Sequence, residues 1–277
     1  LSEPAGEPDR YAVVGFPVKH SQSPTIHRLF AEQTGQNLTY DLIEADAEAF
    51  EAAVQGFIHA GGKGLNVTVP HKERALGLAT HVSNEARIAR AANTLDFRQG
   101  AIRAFNTDGS GLIRDLRDNL DVVLKDRRVL ILGAGGAVRG IVAPLLDAGI
   151  AQLTVANRTL ARAEQLQASF RDQYEFVICG FGDLERLDAP DIIFNATSAG
   201  IKGEAAPFPT SLFRDWTVCY DLSYSLHETP FERLARAAGA KRAVQGWGML
   251  VEQAADAFEI WRGIRPQTRP ILERLRR

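Results

Sequence analysis

Two rhythms of apolar and polar residues run along this chain. Short β-branched runs close on glycine or proline, and longer stretches repeat their apolar residues at helical spacing. "YAVVGFPV" (11–18) is a run of the first kind, closed by Gly15 and Pro17. "SPTIHRLFAEQTG" (23–35) is of the second kind, with a serine cap, Pro24 at the first helical position and Gly35 as the stop. Its Ile26, Leu29 and Phe30 recur on one face. "LTYDLIEA" (38–45) predicts a strand, "AEAFEAAVQGFIHAG" (47–61) an amphipathic helix, and "GLNVTVP" (64–70) a third strand. From Lys72 the pattern is helical again. This order predicts a parallel or mixed sheet covered by helices.

A second series starts near residue 126 with "DRRVLILGAGGAVRGIVAPLLDAG", where a strand, a glycine turn and an apolar helix follow one another directly. Further strands are predicted at 153–158, 176–180, 191–197 and 217–224, with helices between several of them. That alternation is the doubly wound pattern of a dinucleotide-binding unit. "GMLVEQAADAFEIWRG" (248–263) is an amphipathic helix with Leu250, Val251, Ala254, Ala255, Phe258 and Trp261 on one stripe.

Composition narrows the function classes. An apolar fraction of 45% and a charged fraction of 24% in 277 residues are those of a globular protein long enough for two domains. The net charge of −2 argues against nucleic acid or a membrane surface as a partner. Basic residues gather in "RGIRPQTRPILERLRR" and read as a solvated helix face. Cys179 and Cys219 lie inside apolar runs, which suits a reducing cytoplasm and no thiolate metal site. The opening "LSEPAGEPDR" has neither a basic n-region nor an apolar h-region, and no apolar stretch approaches a membrane span. A cytoplasmic protein is expected. No His/Cys/carboxylate cluster has ligand spacing, so no metal is implied.

Candidate chemistry sits at the ends of the predicted strands. In "GAGGAVRG", Gly133 supplies a tight turn and Gly135 a close approach to a pyrophosphate at the following helix N-terminus. The third small position of the usual fingerprint falls at Val138. An NAD site places an acid at the end of the next strand, but here "VANRTLAR" has Asn157, Arg158, Thr159 and Arg162. Arginine forks suit a 2′-phosphate, so the expected cofactor is NADP. In "NVTVPHK" (66–72), strand alternation puts Val67 and Val69 on a core face and Asn66 and Thr68 on the other. Pro70 ends that strand, with Lys72 just beyond it.

Polar clusters at "HSQSP" (20–24), "NVTVPHK", "AANTL" (91–95) and "NTDGSG" (106–111), with "GAGGA", "NRT", "NATSAG" (195–200), "YDLSY" (220–224) and "GWGMLVEQAA" (246–255), resemble the shikimate dehydrogenase family over nearly the whole chain. The resemblance implies NADP-dependent interconversion of shikimate and 3-dehydroshikimate, in aromatic amino-acid biosynthesis. It implies Lys72 as the catalytic general acid/base with Asp108 as its partner. Ser21 and Ser23 match the pair that binds the substrate carboxylate, and Thr68, Asn93 and Asp108 match groups on the ring hydroxyls. Tyr224 and Gln253 complete the pocket, and Asn66 joins it from its strand face. Gly133, Ala134, Gly135, Gly136, Ala137, Asn157, Arg158, Thr159, Arg162 and Thr197 match the cofactor cradle. Leu222 and Gly246 fall on the nicotinamide side. The expected architecture is α/β in two domains with a cleft between them. Residues 1–108, completed by helices in 246–277, form a substrate-binding domain with a mixed sheet, and 109–245 a Rossmann-type NADP-binding domain. Hinge candidates are 106–111 and 244–248, and a monomer or homodimer is expected. Three departures from the family pattern stand near the nicotinamide: "YSL" (224–226) for the frequent "YNP", Gln245 for a common acid, and Trp247. Two alternatives stay open, an NAD-preferring quinate/shikimate dehydrogenase and a non-catalytic metabolite sensor.

Overall fold

The computed structural model describes residues 6–197 and 208–275. The last three residues of "NATSAG" lie outside them. The chain divides into two compact units, 1–111 with 251–277, and 112–250.

The first unit is built on a mixed six-stranded sheet. Its strands are β1 (Asp9–Gly15), β2 (Leu38–Glu44), β3 (Gly62–Val67), β4 (His81–Val82), β5 (Thr94–Asp96) and β6 (Arg103–Phe105), in the order β2-β1-β3-β5-β6-β4. β1 pairs in parallel with β2 and β3, and β3 pairs antiparallel with β5. The short strands β4, β5 and β6 were not anticipated, because two or three residues are too few to show a period. β3 is central, so both its faces are covered and the burial pattern does not alternate. α1 (Ser23–Thr34), α2 (Phe50–His59), α3 (Lys72–Gly77) and α4 (Asn84–Ala89) belong to this unit.

Local chemistry corrects three expectations here. Ser23 is the first residue of α1 rather than its cap; Gln22 holds the cap position without a side-chain bond. Ser21 serves instead, its Oγ accepting from Ser23 N at 3.3 Å. The third strand stops at Val67, three residues early, and Val69 is 57% exposed instead of facing the core. The turn is closed by His71 N donating to Thr68 O at 3.0 Å. Pro70, lacking an N–H, cannot continue the ladder. The basic C-terminal residues are not all solvated either. Arg262 reaches Gln36 and Asp9, and Arg265 holds Glu252 at 2.7 Å and also pairs with Asp256. Both are largely buried, and burying a guanidinium requires such partners.

The second unit carries β7 (Arg128–Leu132), β8 (Gln152–Asn157), β9 (Val177–Gly180), β10 (Ile192–Asn195), β11 (Val218–Asp221) and β12 (Arg242–Gln245). All pairings are parallel, in the order β9-β8-β7-β10-β11-β12. Counted along the sheet this is 3-2-1-4-5-6, the doubly wound order, whose switch point lies between β7 and β10. β12 was not anticipated, and β10 and β11 end at Asn195 and Asp221, short of the predicted 197 and 224. Their terminal side chains end them: Asn195 Oδ1 accepts from Thr197 N, and Asp221 Oδ1 from Ser223 N, at 3.2 and 3.1 Å. α6 (Gly136–Asp147) and α7 (Leu160–Phe170) follow β7 and β8, and α8 (Pro230–Ala237) lies between β11 and β12. Burial pushes the Cys219 thiol up to about 12, so it is an inert core group.

Two helices run across the unit boundaries, α5 (Asp108–Arg114) and α9 (Trp247–Arg262), and α10 (Arg269–Leu275) closes the described chain. The predicted stripe of α9 is present, with Val251, Ala254, Ala255, Phe258 and Trp261 all buried. Gly64 on β3 makes room for it. A Cβ there would lie 2.4 Å from Trp261 Nε1, which donates to Leu95 O at 3.0 Å.

Candidate active site and dinucleotide cradle

In the first unit the turn after β3 delivers Lys72 to the start of α3. His71 anchors that turn from below: its Nε2 lies 2.7 Å from Ala45 O and its ring stacks on Phe50 at 4.4 Å. The Lys72 carbonyl accepts from Ala92 N, which ties the helix start to the approach of β5. Lys72 Nζ reaches Asp108 Oδ2 at 2.6 Å, with side-chain exposures of 11% and 6%. A charge pair this buried persists only with further hydrogen bonds. Asn93 supplies one, its Nδ2 donating to Asp108 Oδ1 at 3.0 Å.

Asn93 is the hub. Its Nδ2 also faces Thr107 Oγ1 at 2.9 Å and Gln253 Oε1 at 3.2 Å, while its Oδ1 accepts from Thr107 N at 2.9 Å. Two amide protons serve three acceptors, so one is shared. Gln253 is placed by the close approach of α9 to α5, where a Cβ on Gly111 would lie 2.7 Å from Gln253 N. Thr107 Oγ1 donates to Gln253 O at 3.0 Å, which closes the ring of contacts.

Asn66 is spent on the protein itself. Its Nδ2 donates to Asn93 O and Thr94 Oγ1 at 3.2 and 3.1 Å, and its Oδ1 accepts from Tyr40 at 2.7 Å. The expected pocket residue is therefore a buried support behind Asn93 and Thr94. Thr68 contrasts with it: half-buried, its hydroxyl has no hydrogen-bond partner among the described residues. Ser21 and Ser23 meet each other, Oγ to Oγ at 3.1 Å. Burial pushes the Tyr40 phenol well above its usual range, and Ser23 offsets part of that shift. Tyr40 thus lies beside Ser23 and donates to Asn66. Beneath it, His27 stacks on Tyr40 at 4.1 Å, fully buried, with neither ring nitrogen hydrogen-bonded. Desolvation lowers its pKa from 6.5 to about 3, against a small opposing effect of nearby Asn66. His71, Tyr40, Thr107 and His27 are support residues that sequence reasoning missed. Thr107 stood inside a quoted motif, and His71 beside the lysine; Tyr40 and His27 carried no signal.

In the second unit the strand ends β7 and β8 meet the starts of α6 and α7. Gly133 has φ +113°, and a Cβ there would lie 2.8 Å from Ala196 O, so only glycine makes this turn. Gly135 is the N-cap of α6 with no side-chain cap, and a Cβ on Gly135 or Gly136 would meet nothing within 4 Å. The first N–H groups of α6, after Ala134 and around Gly136 and Ala137, are therefore approachable. Thr159 caps α7 without a side-chain bond, and Asn157 Nδ2 donates to Thr159 O at 2.8 Å. Arg158 and Arg162 are exposed, with no hydrogen bond or ion pair to any described residue. Bare helix N-termini with two free guanidinium groups fit a dinucleotide bearing a 2′-phosphate.

Asn195 and Asp221 tie together the next two strand ends. Asn195 accepts from Thr197 Oγ1 at 2.8 Å and donates to Asp221 Oδ1 at 3.1 Å, and its carbonyl accepts from Leu222 N. Burial pushes the Asp221 carboxyl up, offset in part by its hydrogen bonds from Ser223 N and Asn195. Gly246 packs on Leu222, its N donating to Ser223 O at 3.0 Å. Tyr224 lies 4.8 Å from the Trp247 ring. Among the described residues no group of three or more His, Cys, Asp or Glu could hold a metal. None of their helices is long and apolar enough to cross a membrane.

Three family models match the chain: a shikimate dehydrogenase substrate binding domain over 13–95, a shikimate/quinate 5-dehydrogenase over 116–202, and a shikimate 5′-dehydrogenase C-terminal domain over 246–276. A shikimate dehydrogenase (NADP(+)) from Alkalilimnicola ehrlichii is 50% identical over 97% of this chain and 98% of its own. The crystal structure of an Ael1 enzyme from Pseudomonas putida matches with TM-score 0.87 at 47% identity, over 96% and 98% of the two chains. A shikimate 5-dehydrogenase from Thermus thermophilus, solved with NADP(H) and shikimate, matches with TM-score 0.85 at 33% identity, over 96% and 97%. The class is that of an α/β oxidoreductase with a Rossmann-type unit and a substrate-binding domain. Within that class, the chain belongs to the shikimate dehydrogenase family.

Proposed function

We propose that this protein catalyses the NADP-dependent, reversible reduction of 3-dehydroshikimate to shikimate in aromatic amino-acid biosynthesis. The observation that carries the reading is the buried Lys72–Asp108 pair, held at 2.6 Å inside the Asn93–Thr107–Gln253 cluster. The named relatives support the substrate and the cofactor.

The first unit holds the ring. Ser21 and Ser23 take the carboxylate, with Thr68, whose hydroxyl has no partner among the described residues, and Asn93, Asp108 and Gln253 on the ring hydroxyls. Asn66 acts indirectly, by fixing the strand end at Thr94. Short side chains with both donors and acceptors discriminate hydroxyl positions at little entropic cost. The second unit holds NADP, with Gly133 to Ala137 at the pyrophosphate, Asn157, Arg158, Thr159 and Arg162 at the 2′-phosphate, and Thr197, Leu222 and Gly246 toward the nicotinamide. When bound, the cofactor supplies the hydride. Lys72 Nζ would donate the proton to the ketone oxygen of the substrate as negative charge develops there. In the reverse direction the Lys72 amine takes the hydroxyl proton. Asp108 orients Nζ and stabilises its ammonium form. The family resemblance assigns Tyr224 of the second unit to substrate binding as well. Two free cysteines, one buried and one half-buried, suit the reducing cytoplasm in which this pathway is proposed to run.

The test is a four-way assay of nicotinamide reduction with shikimate or quinate and NADP or NAD. Turnover is expected with shikimate and NADP. Turnover predominantly with quinate and NAD would replace this reading by the NAD-preferring dehydrogenase. Shikimate binding without turnover in any pairing would make the protein a sensor.

A further inference from the structure

We infer that Gln245 and Trp247 are positioning residues that clamp the loop carrying Leu222 and Tyr224, an inference that rests on the dehydrogenase reading above. The loop runs from the end of β11 to Thr229, the cap of α8. Apolar burial does not hold its tip, because Leu226 is 79% exposed. Hydrogen bonds from the end of β12 hold it instead. Gln245 Oε1 accepts from Ser225 N at 2.6 Å, and Gln245 Nε2 donates to His227 O at 2.9 Å. Trp247 Nε1 donates to Ser225 O at 3.2 Å, and its ring packs against Tyr224. Both backbone groups of Ser225 are thereby tied down by two side chains two residues apart.

The clamp needs an amide at position 245. Gln245 Nε2 also donates to Glu232 Oε2 at 2.7 Å, and that buried carboxylate already accepts from Thr229 N at 3.0 Å. One acceptor and two donors are used at once, which only a carboxamide supplies. A carboxylate there would lose the donor to His227 O and stand against Glu232. The charged and titratable surroundings do not favour a second acid. Glu232 and Arg236 come from α8, 3.8 Å apart, and Arg236 is shared with Glu228 at 3.2 Å. His227 lies on the loop, and Asp221 is the register partner of Gln245 on β11. The family departures at 225, 245 and 247 thus form one hydrogen-bonded set.

The experiment compares wild type with Gln245→Met, Gln245→Glu and Trp247→Phe, using shikimate and NADP, with a thermal melt of each variant and amide hydrogen exchange over 222–229. In Gln245→Met the shikimate KM is expected to rise ~10-fold, the scale of one or two lost hydrogen bonds. The NADP KM should rise less, since the phosphate contacts lie elsewhere and Leu222 is held independently by its N–H bond to Asn195 O. Trp247→Phe keeps a ring against Tyr224 but removes the donor, and should show a smaller rise of the same kind. In Gln245→Glu the loop loses the donor to His227 O and a carboxylate stands against Glu232, so the shikimate KM should rise at least as much as in Gln245→Met. An unchanged shikimate KM in Gln245→Met, or wild-type behaviour of Gln245→Glu, would overturn the positioning role. Exchange decides the clamp without any turnover: faster exchange at Ser225 in Gln245→Met supports it, and unchanged protection overturns it. A wild-type protein inactive on shikimate and quinate alike fails the dehydrogenase reading instead.

Discussion

Lys72, Asp108, Asn93, Thr107 and Gln253 in the first unit are hydrogen-bonded to one another, while Thr68 Oγ1 has no partner among the described residues. In the second unit the cradle has little side-chain networking at β7 and β8. It consists of glycine backbone, helix starts without side-chain caps and two arginines that pair with none of the described residues. The difference follows from the proposed ligands. A small polyhydroxylated ring is told from its isomers by fixed donors and acceptors, so the cost of ordering them is met during folding. A dinucleotide is large and multiply charged. It binds backbone N–H groups and long cations that remain solvated until the phosphates arrive.

The comparison can be broken first at Lys72. Lys72→Ala should cut turnover by at least ~10²-fold and change shikimate affinity less, as loss of general acid–base catalysis does. Near-normal turnover in a variant that still melts cooperatively would remove the proton donor from the first unit.

A second probe addresses how the first unit's network is supported. The buried His27 has its pKa lowered from 6.5 to about 3 by desolvation, so the unfolded chain binds its proton first as pH falls. Its contribution to stability is complete above about pH 6.5 and is lost progressively toward pH 3, to the extent of roughly 4 kcal/mol. His27→Phe keeps a ring against Tyr40 and should make the acid limb of stability shallower, with little change at pH 8. An acid limb of identical slope in the variant would mean that His27 does not stay neutral in the folded core.

How much of this was legible in the sequence differs between the two units for physical reasons. Gly133, Arg158 and the missing acid after β8 were readable because a turn with φ +113° and a free cation are properties of single residues at fixed offsets. The strand–turn–helix order of the second series was readable from its period. In the first unit Lys72, Asn93 and Asp108 were legible through the family resemblance, the pairing of Lys72 with Asp108 included, but the network through Asn93 to Thr107 and Gln253 was not. It depends on β5 and β6, each three residues long, and on α9 arriving from the far end of the chain to present Gln253. Asn66 shows the limit of alternation. Its strand face was anticipated, yet its amide is consumed by Tyr40, Asn93 and Thr94, partners that no local pattern announces. Arg262 and Arg265 looked solvated for the same reason, since their carboxylate partners are distant in sequence or belong to the buried side of α9.

The smallest of the predicted effects is also the most direct test of the division of labour, namely that the second unit reads the 2′-phosphate independently of the ring site. The measurement is kcat/KM for NADP and for NAD, at saturating shikimate, in wild type and in Arg158→Gln/Arg162→Gln. Wild type should prefer NADP, and the double variant should lose ~2 kcal/mol of that preference, the scale of a charge-assisted hydrogen bond, with NAD kinetics and shikimate KM unchanged. Equal losses for both cofactors, or an NADP preference that survives the substitutions, would contradict the account.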